Sequence, residues 1–495
     1  MRHKVLLMAV LGIDLGTSGC KTVLVARDGT ILATATAEYA LSTPKPLWSE
    51  QDPHDWWKGL VTSVRAVLAK KPKEVIEGIG IGGQMHGATL LDSAGKVLRP
   101  AILWNDGRCE AECAELHKRV PTLIKETGNR ALVGFTAPKL LWVQKHEPKI
   151  WKQVRSVLLP KDYLRFRLTG EKVAEMSDGA GMLLMDVAKR KWSAKVLKAC
   201  NIDESYLGRL IEGTAISGTV TATAAAELGI PVGVPVVGGA GDQAAGAIGA
   251  GCAKPGQTTI AIGTSGVVFT TTAGYAPDKQ GRLHTFCHAL PDTWHQMGVM
   301  LSAAGSLQWY RDTLCPGVDF AELTAEAAKA PLGAEGLTFL PYLTGERTPL
   351  CDARARGGFI GLTRMHTRGH LTRAVLEGIC LGLVDSLELI RANGTSVVEA
   401  TATGGATRSD LWMQILADVG NLRIVLRTGA DAGPALGGAR LALIGACGVK
   451  PAIACAPGPI EKTFKPDAKR VKAYRAISER FHSLWPALQP YCHSV

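Results

Sequence analysis

Ile13-Asp14-Leu15-Gly16-Thr17-Ser18-Gly19-Cys20-Lys21-Thr22-Val23 and, half the chain later, Ala261-Ile262-Gly263-Thr264-Ser265-Gly266-Val267-Val268-Phe269 share a Gly-Thr-Ser-Gly core, 247 residues apart in a chain of 495. Each core lies between runs rich in β-branched residues, the pattern of a strand, a tight glycine turn and a returning strand. A repeat at half the chain length, with its flanking strands repeated as well, predicts two related lobes that open with the same hairpin. Outward from the first copy, Ala9 to Ile13, Lys21 to Ala26 and Ile31 to Glu38 read as a strand meander, the last two joined through Arg27-Asp28-Gly29-Thr30. Asp52 reads as a helix N-cap with Pro53 at the first helical position, and Trp57, Leu60, Val61, Val64 and Leu68 follow at helical spacing. Ile76 to Ile81 reads as a further strand and Asp92-Ser93-Ala94-Gly95 as a second hairpin turn. Hairpins mixed with helices exclude a purely parallel doubly wound sheet. The lobe boundary is expected between residues 243 and 256, after the Gly- and Pro-rich Gly229 to Gly241, which gives lobes of 1–246 and 247–495. Helices are expected in the second lobe at Asp319 to Ala328, His370 to Ile390 and Asp410 to Asp418. In the middle one Gly378 and Gly382 share a face that would admit another helix, and the chain from Pro466 onward reads as a surface helix.

At about 100 to 200 residues per domain, the length allows two to four domains with cores of their own. Apolar residues at 46% and charged residues at 20% exclude disorder. The longest apolar run, Val5 to Ile13, is half a membrane span, so no membrane partner is expected. This run follows Arg2-His3-Lys4 but lacks a small-residue cleavage site, so it reads as a buried first strand in a cytoplasmic protein, with Met8 as the native start. The net charge of +12 is spread along the chain. Its densest clusters, Lys70-Lys71-Pro72-Lys73 and Lys189-Arg190-Lys191, lack interleaved aromatics, which reads as solvated loops and no nucleic-acid groove. Twelve scattered cysteines without a Cys-x-x-Cys pair read as reduced thiols. Glycine is abundant, 56 residues, as expected of a chain with many close backbone approaches.

Gly78-Ile79-Gly80-Ile81-Gly82-Gly83 matches a dinucleotide fingerprint, but Gln84-Met85-His86-Gly87 leads into an apolar hairpin where a helix should open, so no NAD site is placed there. No Walker A sequence occurs either. The two Gly-Thr-Ser-Gly turns offer another route. Successive backbone N–H groups in a tight turn form an anion-binding concavity, and two such turns can clamp a polyphosphate. Asp14 ends the strand before the first turn, and Asp242 stands in Gly238-Gly239-Ala240-Gly241-Asp242-Gln243 ahead of an Ala-rich run. Asp242 fits a helix N-cap. It equally fits a base that takes a proton from a substrate hydroxyl while Asp14 helps hold Mg²⁺, the division that phosphoryl transfer needs. Gln84, Met85 and His86, with Trp104, Asn105 and Asp106, bunch hydrogen-bonding groups and flat apolar ones at strand ends, as polyol recognition requires.

Phe135-Thr136-Ala137-Pro138-Lys139-Leu140-Leu141-Trp142-Val143 and Gly358-Phe359-Ile360-Gly361-Leu362, followed by His370-Leu371-Thr372-Arg373-Ala374-Val375-Leu376-Glu377, agree with the two signatures of a known family. On these residues the chain resembles the FGGY carbohydrate kinases, from about Val10 to Lys472. Pro46-Leu47-Trp48-Ser49-Glu50-Gln51-Asp52-Pro53, Gly83-Gln84-Met85-His86-Gly87 and Leu103-Trp104-Asn105-Asp106-Gly107-Arg108 point within it to the members that act on D-xylulose. The resemblance implies an α/β fold of two ribonuclease H-like lobes of the actin and hexokinase type, with mixed sheets flanked by helices and a cleft between the lobes. It implies ATP and Mg²⁺ as cofactors, D-xylulose as substrate and a homodimer as a frequent assembly. By the same resemblance Asp242 is the general base, Asp14 supports Mg²⁺, and Met85, His86, Gln84, Trp104, Asn105 and Gln243 surround the sugar. Gly16, Thr17 and Ser18 with Gly263, Thr264 and Ser265 would hold phosphates, and Gly404 and Gly405 the adenosine. The loop Thr403-Gly404-Gly405-Ala406-Thr407-Arg408 departs from relatives that carry a third glycine. Kinases of glycerol, L-ribulose or gluconate, and a non-catalytic sugar sensor or chaperone-like ATPase, are the alternative readings; the sensor lacks a basic helix-turn-helix before residue 10, and the chaperone a separate peptide-binding domain.

Overall fold

Two seven-stranded mixed sheets organise the chain in the computed structural model, which describes residues 8–71 and 74–494. Arg2-His3-Lys4 and the Val5 to Leu7 part of the apolar run, which precede the expected start at Met8, and Pro72-Lys73 of the first basic cluster lie outside those described. The first sheet contains β1 (Met8–Leu15), β2 (Gly19–Ala26), β3 (Ile31–Glu38), β4 (Val75–Gly83), β5 (Ile216–Thr219), β6 (Pro235–Val237) and β7 (Ala240–Gly241). Its order is β5-β6-β4-β1-β2-β3, with β7 pairing beside β6 on β4. The second contains β8 (Thr258–Ile262), β9 (Gly266–Thr272), β10 (His284–Cys287), β11 (Trp294–Met300), β12 (Glu399–Thr403), β13 (Arg423–Arg427) and β14 (Ile460–Phe464), in the order β10-β11-β9-β8-β12-β13-β14.

Traced outward from each hairpin, β3-β2-β1-β4-β6 and β11-β9-β8-β12-β13 have the same succession of two antiparallel and then two parallel pairings. The repeated turn is therefore part of a repeated topology, the arrangement of two ribonuclease H-like lobes. β1 and β8 sit at the centre of their sheets, and β1 is buried from Ala9 to Ile13, as a near-continuous apolar run in a partly parallel sheet should be.

Helices cover both sheets. In α1 (Pro53–Lys70) the Asp52 side chain accepts from the His54 N–H, the cap expected from sequence. Its buried face holds Trp56, Trp57, Leu60, Val64 and Val67, while Val61 and Leu68 lie half-buried at its margin. Trp56 displaces the expected stripe because its Nε1 reaches Gln51 Oε1 beneath the helix (2.9 Å). Further along come α2 (Thr136–His146), α3 (Asp242–Gly249) and α4 (Arg368–Ala392). The shared glycine face of α4 meets strands: a Cβ on Gly378 would lie 2.2 Å from the Phe339 carbonyl oxygen, and one on Gly382 would meet Met300. Among the described residues no helix fills that place, which corrects the reading from spacing alone.

α5 (Gly433–Gly445) comes from the second half of the chain yet lies across the first sheet. A Cβ on Gly12 would sit 2.0 Å from the Ala435 oxygen, and one on Gly80 the same distance from the Gly438 oxygen. The glycines that imitate a dinucleotide fingerprint thus serve a close helix-on-strand contact. α6 (Ala468–Cys492) is the expected C-terminal helix, anchored by Val471, Tyr474, Phe481, Trp485 and Cys492. The second basic cluster is no solvated loop throughout. Arg190 pairs with Glu212 (2.6 Å) and lies over the Trp294 ring. Among the described residues no helix is long and apolar enough to cross a membrane.

Candidate active site

Three parallel strands end together. In register, Asp14 of β1 lies beside Gly82 of β4 and Leu15 beside Gly83, while Ala240 and Gly241 of β7 lie beside the same two glycines. Asp14, the Gln84-Met85-His86 segment and Asp242 therefore leave neighbouring strands at one level, the carboxyl edge where α/β sheets bind ligands. Gly241 leaves room for Met85, whose side chain would stand 2.8 Å from a Cβ at that position. Asp242 is the first residue of α3 and Gly241 its N-cap, so the carboxylate caps nothing but its neighbour, accepting from the Gln243 N–H at 2.8 Å. The capping alternative for Asp242 gives way to a side chain in a cavity wall.

That cavity, about 130 Å³, joins both halves of the chain: Met85, His86, Trp104, Asp242 and Gln243 meet Ser265, Val299 and Arg347. A second, about 710 Å³, lies across the other turn, against Gly263, Thr264, Gly405, Ala406 and Arg408. The second turn borders both, with Thr264 facing the larger cavity and Ser265 the smaller. The size difference suits a small acceptor on one side and a nucleotide on the other. Both turns are closed by backbone bonds, Gly16 N–H to Gly19 O (2.9 Å) and Gly263 N–H to Ser265 O (3.0 Å). Gly404, at the end of β12, needs its positive φ of 92°, and a Cβ on it would lie 2.5 Å from the Ile262 oxygen.

Burial governs the charges. It raises the Asp14 carboxyl to about 7, helped by the like charge of Asp242 and opposed by Lys21. It raises Asp242 to about 6 against the hydrogen bonds from Gln243. Asp14 Oδ1 is buried without a hydrogen-bond partner, an oxygen donor of the kind Mg²⁺ takes when phosphates and water complete its shell. His86 is driven down to about 3 by burial first and then by Lys139. Its backbone is held in the left-handed region (φ 68°) by Lys139 Nζ and Thr136 Oγ1, of α2, which both donate to its carbonyl oxygen, at 2.9 and 3.0 Å. Its Nδ1 lies 2.7 Å from the Gly181 oxygen, which can only accept, so Nδ1 carries the proton and Nε2 is a lone-pair acceptor.

The remaining sequence-derived residues divide. Gln84 is buried under the site, bonded to Gln51 and to the Thr17 hydroxyl, which also accepts from Trp104 Nε1 (2.9 Å). Ser18 is exposed at the tip of its turn. Asn105 lines a separate shallow groove with Pro44 to Ser49. Sequence reading missed Arg347, whose signal was a charged pair between glycine and proline in Gly345-Glu346-Arg347-Thr348-Pro349. It also missed a buried ionic cluster behind Asp242. Lys161 lies 2.7 Å from Asp162 and 3.4 Å from Asp178, and Ser177, bonded to Glu175, accepts from the Gly241 N–H (3.1 Å). No motif joins these residues, which come together only in the fold.

Comparison with known proteins gives two family matches: the N-terminal domain of the FGGY family of carbohydrate kinases over residues 9–249, and its C-terminal domain over 258–446. The chain belongs to the FGGY family of carbohydrate kinases. This kinase is 47% identical over 481 residues to the xylulose kinase of Escherichia coli (strain K12), covering 97% of this chain and 99% of that protein. A crystal structure of a xyloylose kinase from Brucella ovis, 45% identical, superposes with a TM-score of 0.94 over 98% of this chain and all of the other. The xylulose kinase from Rhodospirillum rubrum, 32% identical, reaches 0.91 over the same shares.

Proposed function

We propose that this kinase transfers the γ-phosphoryl group of ATP to the C5 hydroxyl of D-xylulose, giving D-xylulose 5-phosphate and ADP. The observation that carries the reading is a half-buried carboxylate, Asp242, in a small cavity of mixed polar and apolar lining beside the turn that also borders a nucleotide-sized one. The similarity to xylulose kinases supports the choice of sugar. In this reading lobe 1–246 holds the sugar and the base, and lobe 247–495 the nucleotide.

As the sugar oxygen bonds to the γ-phosphorus and the bond to the β-phosphate oxygen breaks, the hydroxyl proton passes to Asp242. With its carboxyl near 6, roughly nine in ten molecules have this base ionised at pH 7. His86 Nε2 accepts a sugar hydroxyl, and Met85 and Trp104 give the carbon skeleton an apolar wall. The two Gly-Thr-Ser-Gly turns present N–H and hydroxyl donors to the phosphates, and Gly404-Gly405-Ala406 packs on the adenosine. Asp14 would hold Mg²⁺, which neutralises phosphate charge when bound. Closure of the lobes over the sugar excludes water that would otherwise accept the phosphoryl group.

ADP release with D-xylulose, with glycerol and with no sugar, each with and without Mg²⁺, tests this. Mg²⁺-dependent release that D-xylulose stimulates far above the other two is expected. Equal rates with glycerol, or no stimulation by D-xylulose, would reject it.

A further inference from the structure

Arg347 brings a cation from the second lobe into the wall of the smaller cavity. Its loop is pinned to the end of β11. Thr348 N–H donates to the Val299 oxygen (3.0 Å), Val299 N–H to Thr348 Oγ1 (3.1 Å), and Thr348 Oγ1 to the Arg282 oxygen (2.9 Å). Glu346 turns inward and accepts from Leu301 N–H (3.0 Å) and from the backbone N–H of Arg347 itself (2.7 Å). Oε1 of the adjacent carboxylate is thus occupied with backbone while its Oε2 is buried without a hydrogen-bond partner, and among the described residues the Arg347 guanidinium makes no hydrogen bond or salt bridge and feels Glu346 only as a nearby charge. A half-buried guanidinium with five donors and no acceptor is a group that awaits a ligand.

Its neighbours say which part of the ligand it meets. His284 is held far below its usual range by burial first and by Arg347 next, and Arg347 also contributes to the lowering of His86. Asp242 is shaped by its burial and by Gln243. Thr348, next to Arg347, is bonded to Arg282 and to Val299, which flank His284 and Met297 on the paired β10 and β11, so the guanidinium enters the cavity from the wall that carries His284. His284 Nδ1 lies 2.8 Å from Asn129 Oδ1, and the amide nitrogen of Asn129 donates to the Thr127 and Thr285 oxygens. The amide oxygen must then accept, so the free Nε2 of His284 is an acceptor. A planar donor fork beside a lone-pair acceptor complements a carbonyl oxygen next to a hydroxyl, the hydroxyketone group at C1 and C2 of an open-chain ketose.

We propose that Arg347 hydrogen-bonds the C2 carbonyl oxygen of the ketose, with His284 accepting from the C1 hydroxyl, and that this contact makes the enzyme prefer a ketose to the alditol formed by reducing C2. The proposal rests on the reading that D-xylulose is the acceptor with its C5 hydroxyl at Asp242.

The test compares wild type, Arg347→Gln and Arg347→Lys with D-xylulose, xylitol and D-arabitol, using Mg-ATP. The alditols are assayed as substrates or, where turnover is too slow, as competitive inhibitors. A hydrogen bond to a charged group supports about a 10- to 100-fold loss of kcat/KM for D-xylulose in Arg347→Gln, mostly through KM. Alditol constants should move less than about threefold, so the preference for ketose falls at least tenfold. Arg347→Lys, which keeps the charge but loses the fork, should fall between. Equal losses on ketose and alditols, as a structural role would give, or an unchanged preference, overturn the proposal. If Arg347→Gln does not fold by thermal melting, Arg347→Lys decides, and an unchanged preference in it overturns the proposal. A wild type that does not use D-xylulose would refute the functional reading itself, an outcome distinct from a wild type that does and a variant that keeps its preference.

Discussion

Replacing Gly437 by alanine sets two effects of opposite sign against each other. In a helix interior alanine is better than glycine by about 1 kcal/mol. At this position, however, the new Cβ would lie 1.8 Å from the Ala245 oxygen and 2.5 Å from its carbonyl carbon, both backbone atoms of α3. No side chain can swing aside, and α5 cannot retreat, because Gly12 and Gly80 already bring β1 and β4 against its other side. The two helices must part by more than an ångström, and overpacking of this kind costs about 1–3 kcal/mol or more. With the cost at the top of that range, a net loss of about 2 kcal/mol follows. For a lobe of this size that lowers the melting temperature by about 4–8 °C. Function should suffer too. Asp242 opens α3 three residues before Ala245, and a misplacement of about 1 Å can cost up to about 10²-fold in turnover. Thermal melting and ADP release read both effects. Gly274→Ala, at a residue with no atom within 4 Å of its added Cβ, is the control and should match wild type in both. A Gly437→Ala protein that melts at or above the wild-type temperature with normal turnover would refute the reasoning.

The pH profile follows from Asp242. Burial raises its carboxyl to about 6, and only the ionised form accepts a proton, so at saturating Mg-ATP, where bound metal would keep Asp14 ionised, kcat/KM for the sugar should be level above pH 7 and fall about tenfold per unit well below pH 6. A profile flat down to pH 5 would exclude this carboxylate as the base. His86→Ala should raise KM for D-xylulose by up to about tenfold while kcat changes little, as loss of one neutral hydrogen bond allows; an unchanged KM would make His86 purely structural. Because its imidazole sits near 3, His86 should leave the acid limb of the profile where it was.

Much of this architecture could be read from short-range pattern. The 247-residue repeat became two sheets of one topology because a glycine turn between β-branched runs is a local instruction, and Asp52-Pro53 opened α1 where capping chemistry places it. What failed was packing between distant segments. The face of α1 shifted toward Trp56 because of Gln51 underneath, and Gly378 met a strand where spacing suggested a helix. That α5 crosses to the first sheet has no local signal beyond glycines whose partners lie more than 300 residues away. The site shows the same division. Asp14, His86 and Asp242 stand out as polar groups at strand ends among glycines. Arg347, His284 and the Lys161 cluster come from segments with no shared motif, and only tertiary structure assembles them.

The most direct measurement is turnover by Asp242→Ala alongside its affinities for D-xylulose and Mg-ATP from calorimetry. General-base loss predicts a kcat lower by about 10²- to 10⁴-fold with both ligands still bound at near-normal strength. Turnover close to that of the wild type would contradict the account.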